Sequence, residues 1–81
     1  MTRTKEEIFE LLKSHLLEIV PEIHPDDVQP MVSMKDLGAN SIDRVDVILQ
    51  TMEALKLKFP LHELGGLTNM QALVDHLHGR M

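Results

Sequence analysis

The sequence predicts an all-α fold, a small four-helix bundle with three main helices, one short third helix and a long first loop. Apolar residues recur at helical intervals in three separate segments, and no segment shows the sustained alternation of a half-buried strand. Only two of the 81 residues are aromatic, so the core must consist of Leu, Ile, Val and Met side chains, which suit packed helices. We expect residues 1–81 to form one domain, near the lower size limit for a core without disulfides or metals.

The first helix should begin at Thr4, because Thr4 and Glu7 have the spacing of a capping box. Its apolar face comprises Ile8, Leu11, Leu12, Leu16 and Ile19. Pro21 should end it. The stretch from Pro21 to Asn40 contains three prolines and a glycine, so we expect a long loop there. Loops of about 20 residues are uncommon in compact domains and are often functional.

The second helix is predicted from Ser41 to Leu57, with one side facing the core. At about 100° per residue, that core side comprises Val45, Ile48, Leu49, Met52 and Leu55. The opposite side carries Asp43, Asp46, Gln50 and Glu53, flanked by Val47 and Ala54. We therefore expect Val47 to lie away from the core.

Two shorter helical segments follow Phe59-Pro60. Leu61 to Leu64 is long enough for one helical turn before Gly65-Gly66 breaks the chain. The last helix is predicted to open at Thr68, which has capping-box spacing with Gln71, and to continue through Leu77 to Gly79.

Charge and composition exclude several classes of function. Eight basic and thirteen acidic residues give a net charge of −5, which argues against nucleic acid or an anionic membrane as the partner and favours partners with basic docking surfaces. The N-terminus lacks the apolar core of a secretory signal, and no apolar run approaches the roughly 20 residues that span a bilayer. With no cysteine, the chain has no disulfide and no thiol nucleophile. We expect a cytoplasmic protein.

The sequence does not suggest an enzyme or a metal site. Its only serines are Ser14, Ser33 and Ser41, and none has an evident base or orienting partner. The five histidines show no ligand spacing. His15 projects near the apolar face of the first helix, where a buried or edge histidine is expected.

Ser41 lies where the glycine-punctuated loop Leu37-Gly38-Ala39-Asn40 gives way to an amphipathic helix. A serine in that position has two interpretations. It is either the helix N-cap, which serine often provides, or an exposed attachment point, where the helix N-terminus would favour a phosphate. The two roles are compatible.

The residues from Asp36 to Val47 read Asp-Leu-Gly-Ala-Asn-Ser-Ile-Asp-Arg-Val-Asp-Val. This run closely resembles the motif of the acyl carrier proteins of fatty acid and polyketide synthesis. Phe59-Pro60 and the segment that begins at Thr68 resemble that family's later elements, so the resemblance covers essentially the whole chain. In that family, the serine of the motif receives a 4′-phosphopantetheine arm from coenzyme A, and acyl groups ride on the arm as thioesters. The matching serine is Ser41.

The resemblance implies partners and further sites. The arm would be attached by a Mg²⁺-dependent phosphopantetheinyl transferase, and synthase enzymes such as ketosynthase-like or acyltransferase partners would follow. The docking residues implied are Asp43, Asp46, Val47 and Glu53, and the space near Val45, Leu49 and Met52 would shelter the acyl chain. The carrier would act as a monomer.

Departures from the commonest motif favour a polyketide or related specialised pathway. Asn40 replaces the usual aspartate, Ile42 replaces the usual leucine, and the second helix carries Arg44. Discrete carriers of this kind include some that serve cassettes adding a β-branch to a growing chain. The alternatives are a fatty acid synthesis carrier, an aminoacyl or peptidyl carrier, and an unmodified helical adaptor that binds partners through the acidic face.

Overall fold

The computed structural model describes residues 3–64, 67 and 69–81. The α-helices in it are α1 (Lys5–Ile19), α2 (Ser41–Leu55) and α3 (Met70–Gly79), and 3₁₀ turns lie at Pro25–Asp27 and Leu61–Leu64. No strand occurs among these residues. The all-α prediction is confirmed, and the predicted short third helix is a single 3₁₀ turn. Helix α1 packs against both α2 and α3.

Helix α1 begins as predicted, with Thr4 as its N-cap. The Thr4 hydroxyl accepts a hydrogen bond from the Glu7 N–H at 3.2 Å, and the Thr4 N–H donates to Glu7 Oε1 at 3.1 Å. The bond from the Thr4 backbone, with a second from its hydroxyl, lowers the pKa of the Glu7 carboxyl. The core face of α1 is fully buried at Ile8, Leu12 and Leu16.

Helix α2 ends two residues earlier than predicted. Lys56 adopts a left-handed conformation with φ 58°, which stops the helix after Leu55. The Leu57 N–H then donates to the Met52 carbonyl at 2.9 Å, a Schellman-type closure. Leu57 lies beyond the helix and packs against the core.

The start of α3 fixes the long first loop in place. Its N-cap is Asn69, whose side chain accepts from the Ala72 N–H at 2.8 Å; the predicted cap Thr68 and the Gly65-Gly66 break lie outside the described residues. The Met70 N–H donates to the Val32 carbonyl at 3.0 Å, and the Gln71 N–H donates to the Pro30 carbonyl at 2.8 Å. The loop is therefore tied by backbone hydrogen bonds to the first turn of α3.

The predicted orientation of α2 is correct only in part, since Met52 and Leu55 are buried as expected but the rest of the core side differs. The buried residues of this helix are Val47, Thr51, Met52 and Leu55, whereas Val45 and Leu49 are 41% and 45% exposed. The core side is rotated by roughly 70° about the helix axis from the predicted one. The reason is Thr51, whose hydroxyl donates to the Val47 carbonyl at 2.8 Å and lies 2.8 Å from His15 Nδ1. This paired hydroxyl can be buried between helices, although a pattern of apolar residues alone excludes it.

Candidate functional site

The N-cap of α2 is Asn40 rather than Ser41. Asn40 Oδ1 accepts from the Asp43 N–H at 2.8 Å, and Asp43 Oδ2 accepts from the Asn40 N–H at 3.4 Å, which together form a capping box. Ser41 is the first residue of the helix, and its side chain is exposed. Its hydroxyl is therefore not needed to hold the helix end.

The turn before Ser41 depends on Gly38. This residue has φ +98°, a conformation that side-chain-bearing residues rarely adopt. The turn is closed by the Ala39 N–H, which donates to the Met34 carbonyl at 3.0 Å, and it buries Ala39 in the core. The buried Ala39 anchors the chain, so that Asn40 and Ser41 emerge at a fixed position.

A cavity of about 690 Å³ lies beside Ser41. Helix α2 contributes Ser41, Arg44, Val45 and Ile48 to its wall. The rest of the wall is formed by the first loop, the second 3₁₀ turn and α3, with an apolar surface that includes Leu61, Leu64, Leu67 and Leu73. Lys35 and Asp36 from the loop add charge. Its volume is within the usual range for small-molecule sites.

Only one of the three predicted acyl-pocket residues lines this cavity. Val45 does so, but Leu49 is partly exposed to solvent and Met52 is buried in the core. The cavity opens on the side of α2 that carries Arg44 and Ile48. Because α2 is rotated from its predicted orientation, Leu49 and Met52 do not line the cavity.

The predicted docking residues fall in three different environments. Asp46 and Glu53 are exposed, as a docking role requires, whereas Asp43 is half-buried and takes part in the capping box. Val47 is fully buried, so the prediction that it contacts partners is wrong.

Sequence reasoning missed a row of exposed apolar side chains next to Ser41. Ile42, Val45 and Leu49 are 71%, 41% and 45% exposed and lie three and four residues apart, on one side of α2. We call this set the apolar row. Met31 in the first loop is also exposed. The sequence signal was present, since seven large apolar residues in a 15-residue helix are too many for one buried stripe.

The described part of the chain contains neither a candidate metal site nor a candidate membrane span. No three His, Asp or Glu side chains there lie close enough together to hold a metal ion. None of its helices combines the length and the hydrophobicity that crossing a bilayer requires.

A three-helix fold with an exposed serine at the start of the second helix, beside a partly apolar cavity, defines a carrier domain. Comparison with known proteins agrees, because residues 10–77 match the model of the family "Phosphopantetheine attachment site". The chain belongs to this family, and it is an acyl carrier protein of the polyketide type.

Three relatives illustrate the similarity. The polyketide biosynthesis acyl-carrier-protein AcpK of Bacillus subtilis (strain 168) is 35% identical over 95% of this chain and 94% of its own length. Methylphloroacetophenone synthase of Cladonia uncialis is 35% identical over 80% of this chain, which corresponds to 3% of that protein. The solved structure of the curacin biosynthetic pathway HMG synthase in complex with acetyl donor-ACP contains a chain with a TM-score of 0.87 and 34% identity, covering 95% of this chain and 99% of that one.

Proposed function

We propose that Ser41 is the residue to which the 4′-phosphopantetheine arm is attached. The observation that carries this proposal is that the capping box of Asn40 and Asp43 holds the helix end, which leaves the exposed Ser41 hydroxyl for modification. The surroundings of Ser41 suit the phosphate of the arm, because the first N–H groups of α2 and the Arg44 side chain attract negative charge. When attached, the arm supplies the thiol that carries acyl groups as thioesters.

The protein acts as a carrier and not as an enzyme in this proposal. Its partners are a phosphopantetheinyl transferase and the synthase enzymes that use the thioester. The family match over residues 10–77 supports one carrier domain across residues 1–81. We also propose a monomer in the cytoplasm, where coenzyme A supplies the arm.

We further propose that this carrier donates a short acyl group to an enzyme of the HMG synthase type. The structural neighbour is an acetyl donor-ACP in complex with such a synthase, and the similarity extends over nearly the whole of both chains. A donor of this kind would serve a cassette that adds a β-branch to a polyketide. Polyketide pathways other than a β-branching cassette, and fatty acid synthesis, are the competing assignments.

The apolar row and two acidic residues form the docking surface that we propose. Ile42, Val45 and Leu49 would pack against the partner, while Asp46 and Glu53 would pair with basic side chains on it. Desolvated apolar contacts contribute most of the affinity in such an interface. Charges chiefly set the encounter rate and the choice of partner.

Intact mass spectrometry tests the attachment site. After incubation with coenzyme A, Mg²⁺ and a promiscuous phosphopantetheinyl transferase, we expect one phosphopantetheine addition to the wild type and none to Ser41→Ala. Ser14→Ala is the matched control, because Ser14 is also exposed and on a helix, and it should be modified normally. An unmodified wild type, alongside a modified control carrier, would contradict the proposal and favour the adaptor.

The donor role requires a second assay. The holo protein is loaded with a radiolabelled acetyl group and mixed with an HMG synthase of a β-branching cassette or with a fatty acid ketosynthase. Transfer of the label to the HMG synthase, with little transfer to the ketosynthase, is the expected result. The opposite preference would indicate a fatty acid carrier.

A further inference from the structure

The Arg44 side chain folds back towards the start of α2. Its backbone N–H and its side-chain Nε both donate to the Asn40 carbonyl oxygen, at 3.0 Å and 3.3 Å. That oxygen belongs to the peptide group that joins Asn40 to Ser41. The guanidinium is therefore held at the start of α2, close to Ser41.

The two terminal nitrogens of this guanidinium remain available. Within residues 3–64, 67 and 69–81, Arg44 forms no ion pair, and its only side-chain hydrogen bond is the one from Nε. Arg44 lines the same cavity as Ser41 and Lys35. A planar guanidinium with unpaired N–H groups matches the geometry of phosphate oxygens.

A negatively charged group at Ser41 would be repelled by two nearby carboxylates. The Asp43 carboxylate already occupies the positive end of α2, and Asp36 lines the cavity. These carboxylates offset part of the attraction that the N–H groups at the start of α2 offer to a phosphate. A cation close to Ser41 would offset this repulsion.

We propose that Arg44, assisted by Lys35, binds the phosphodiester of the arm and thereby fixes the base of the arm at the mouth of the cavity. This inference depends on the proposed attachment at Ser41. It makes Arg44 a positioning residue, because it holds the phosphate while the thioester end of the arm stays mobile. The remainder of the arm would then start from a defined direction along the cavity.

A thermodynamic cycle tests the contact. Unfolding by urea is measured for the apo and holo forms of the wild type and of Arg44→Ala, after mass spectrometry has shown complete modification. Loss of the hydrogen bond to Asn40 affects both forms equally, so it cancels in the cycle. We expect Arg44→Ala to lower the folding equilibrium constant of the holo form more than that of the apo form. The additional decrease should be up to about fivefold.

Two matched variants separate the phosphate contact from charge in general. Lys58→Ala removes one positive charge beyond the far end of α2 and should show no coupling to the arm. Arg44→Lys keeps the charge but loses the planar fork, so it should retain part of the coupling. The phosphorus NMR resonance of the holo protein should shift in Arg44→Ala and stay unchanged in Lys58→Ala.

The outcomes distinguish the two proposals. If no phosphopantetheine is added to the wild type, the attachment at Ser41 is wrong. If it is added but apo and holo forms lose equal stability in Arg44→Ala, and the phosphorus resonance does not move, the Arg44 contact is wrong while the attachment stands.

Discussion

Val47 and Leu55 on one side of α2 are buried in a core shared with α1 and α3, whereas Ile42 and Leu49 on another side are 71% and 45% exposed. Both sides carry aliphatic residues at helical spacing, so residue type does not separate them. What separates them is a polar pair, because the Thr51 hydroxyl is bonded to the Val47 carbonyl and to His15 of α1. An apolar row that does not stabilise the fold is available for binding.

The largest expected effect on stability comes from placing a negative charge on the buried side of α2. The same charge on the exposed side serves for comparison. Val47→Asp would bury a carboxylate without a partner, at a cost of several kcal/mol, about as much as the whole stability of a small domain. We expect it to abolish cooperative unfolding as measured by circular dichroism. Leu49→Asp introduces the same charge on the exposed side and should change stability by less than about 1 kcal/mol. Equal losses in the two variants would contradict the assignment of the two sides.

The polar pair between α1 and α2 gives the next largest effect. The Thr51 hydroxyl has one proton, so when it donates to the Val47 carbonyl it accepts from the Nδ1–H of His15. Thr51→Val would leave that N–H unpaired in a half-buried position, at a cost of about 1–3 kcal/mol in unfolding free energy.

A double variant checks this interpretation. Adding His15→Leu to Thr51→Val removes both polar partners, so urea unfolding should show a loss smaller than the sum of the two single losses. Strictly additive losses would indicate that the two side chains do not interact.

The same comparison shows how far the sequence determines the site. The Thr4 capping box, the Ser41 position and the family motif depend on local spacing, and the sequence predicts them directly. The rotation of α2 depends on a contact between His15 and Thr51, 36 residues apart. A helical wheel that considers only apolar residues places Val47 outside the core and Leu49 inside it, which is the reverse of the structure. The prediction of a buried or edge histidine at position 15 agrees with the structure, in which the His15 side chain is half-buried. Its partner Thr51 could not be identified from one sequence, because the two residues are far apart along the chain.

Two of the three residues predicted to line the acyl pocket lie outside the cavity wall for the same reason. With α2 rotated, Ile48 and Arg44 join Val45 on its wall, and Met52 is left within the core. Of the two interpretations of Ser41, the N-cap is not the one that the structure shows, since the neighbouring Asn40, also a favourable N-cap residue, takes that role. The pairing of Asn40 with Asp43 three residues later was a local signal that could have decided it.

The exposed side of α2 should affect partner reactions and leave the fold unchanged. Ile42→Ser and Leu49→Ser each remove an apolar contact that we propose forms with the synthase. We expect each to lower kcat/KM for acyl donation by roughly fivefold, equivalent to about 1 kcal/mol, with the midpoint of unfolding unchanged. Ala54→Ser alters an exposed position on the side of α2 opposite the apolar row and serves as the control. If Ala54→Ser lowers kcat/KM as much as Ile42→Ser, the apolar row is not the docking surface.

The smallest effect concerns the surface contact between α1 and α3, where Lys5 of α1 and Asp75 of α3 form an ion pair at 3.0 Å. The hydrogen bond from Lys5, followed by one from Gln71, lowers the pKa of Asp75 below its ordinary value of 3.8. A depressed carboxyl pKa stabilises the fold above the ordinary value, and this contribution is lost as pH falls through the lowered pKa. Both side chains are about half exposed, so the effect is small. In urea unfolding at a series of pH values, Asp75→Asn should lose less stability than the wild type on acidification, and the two proteins should converge at low pH. Asp46→Asn, which removes a carboxylate from the exposed side of α2, should follow the wild type. If Asp75→Asn and the wild type lose stability in parallel, the ion pair contributes nothing to the α1–α3 contact.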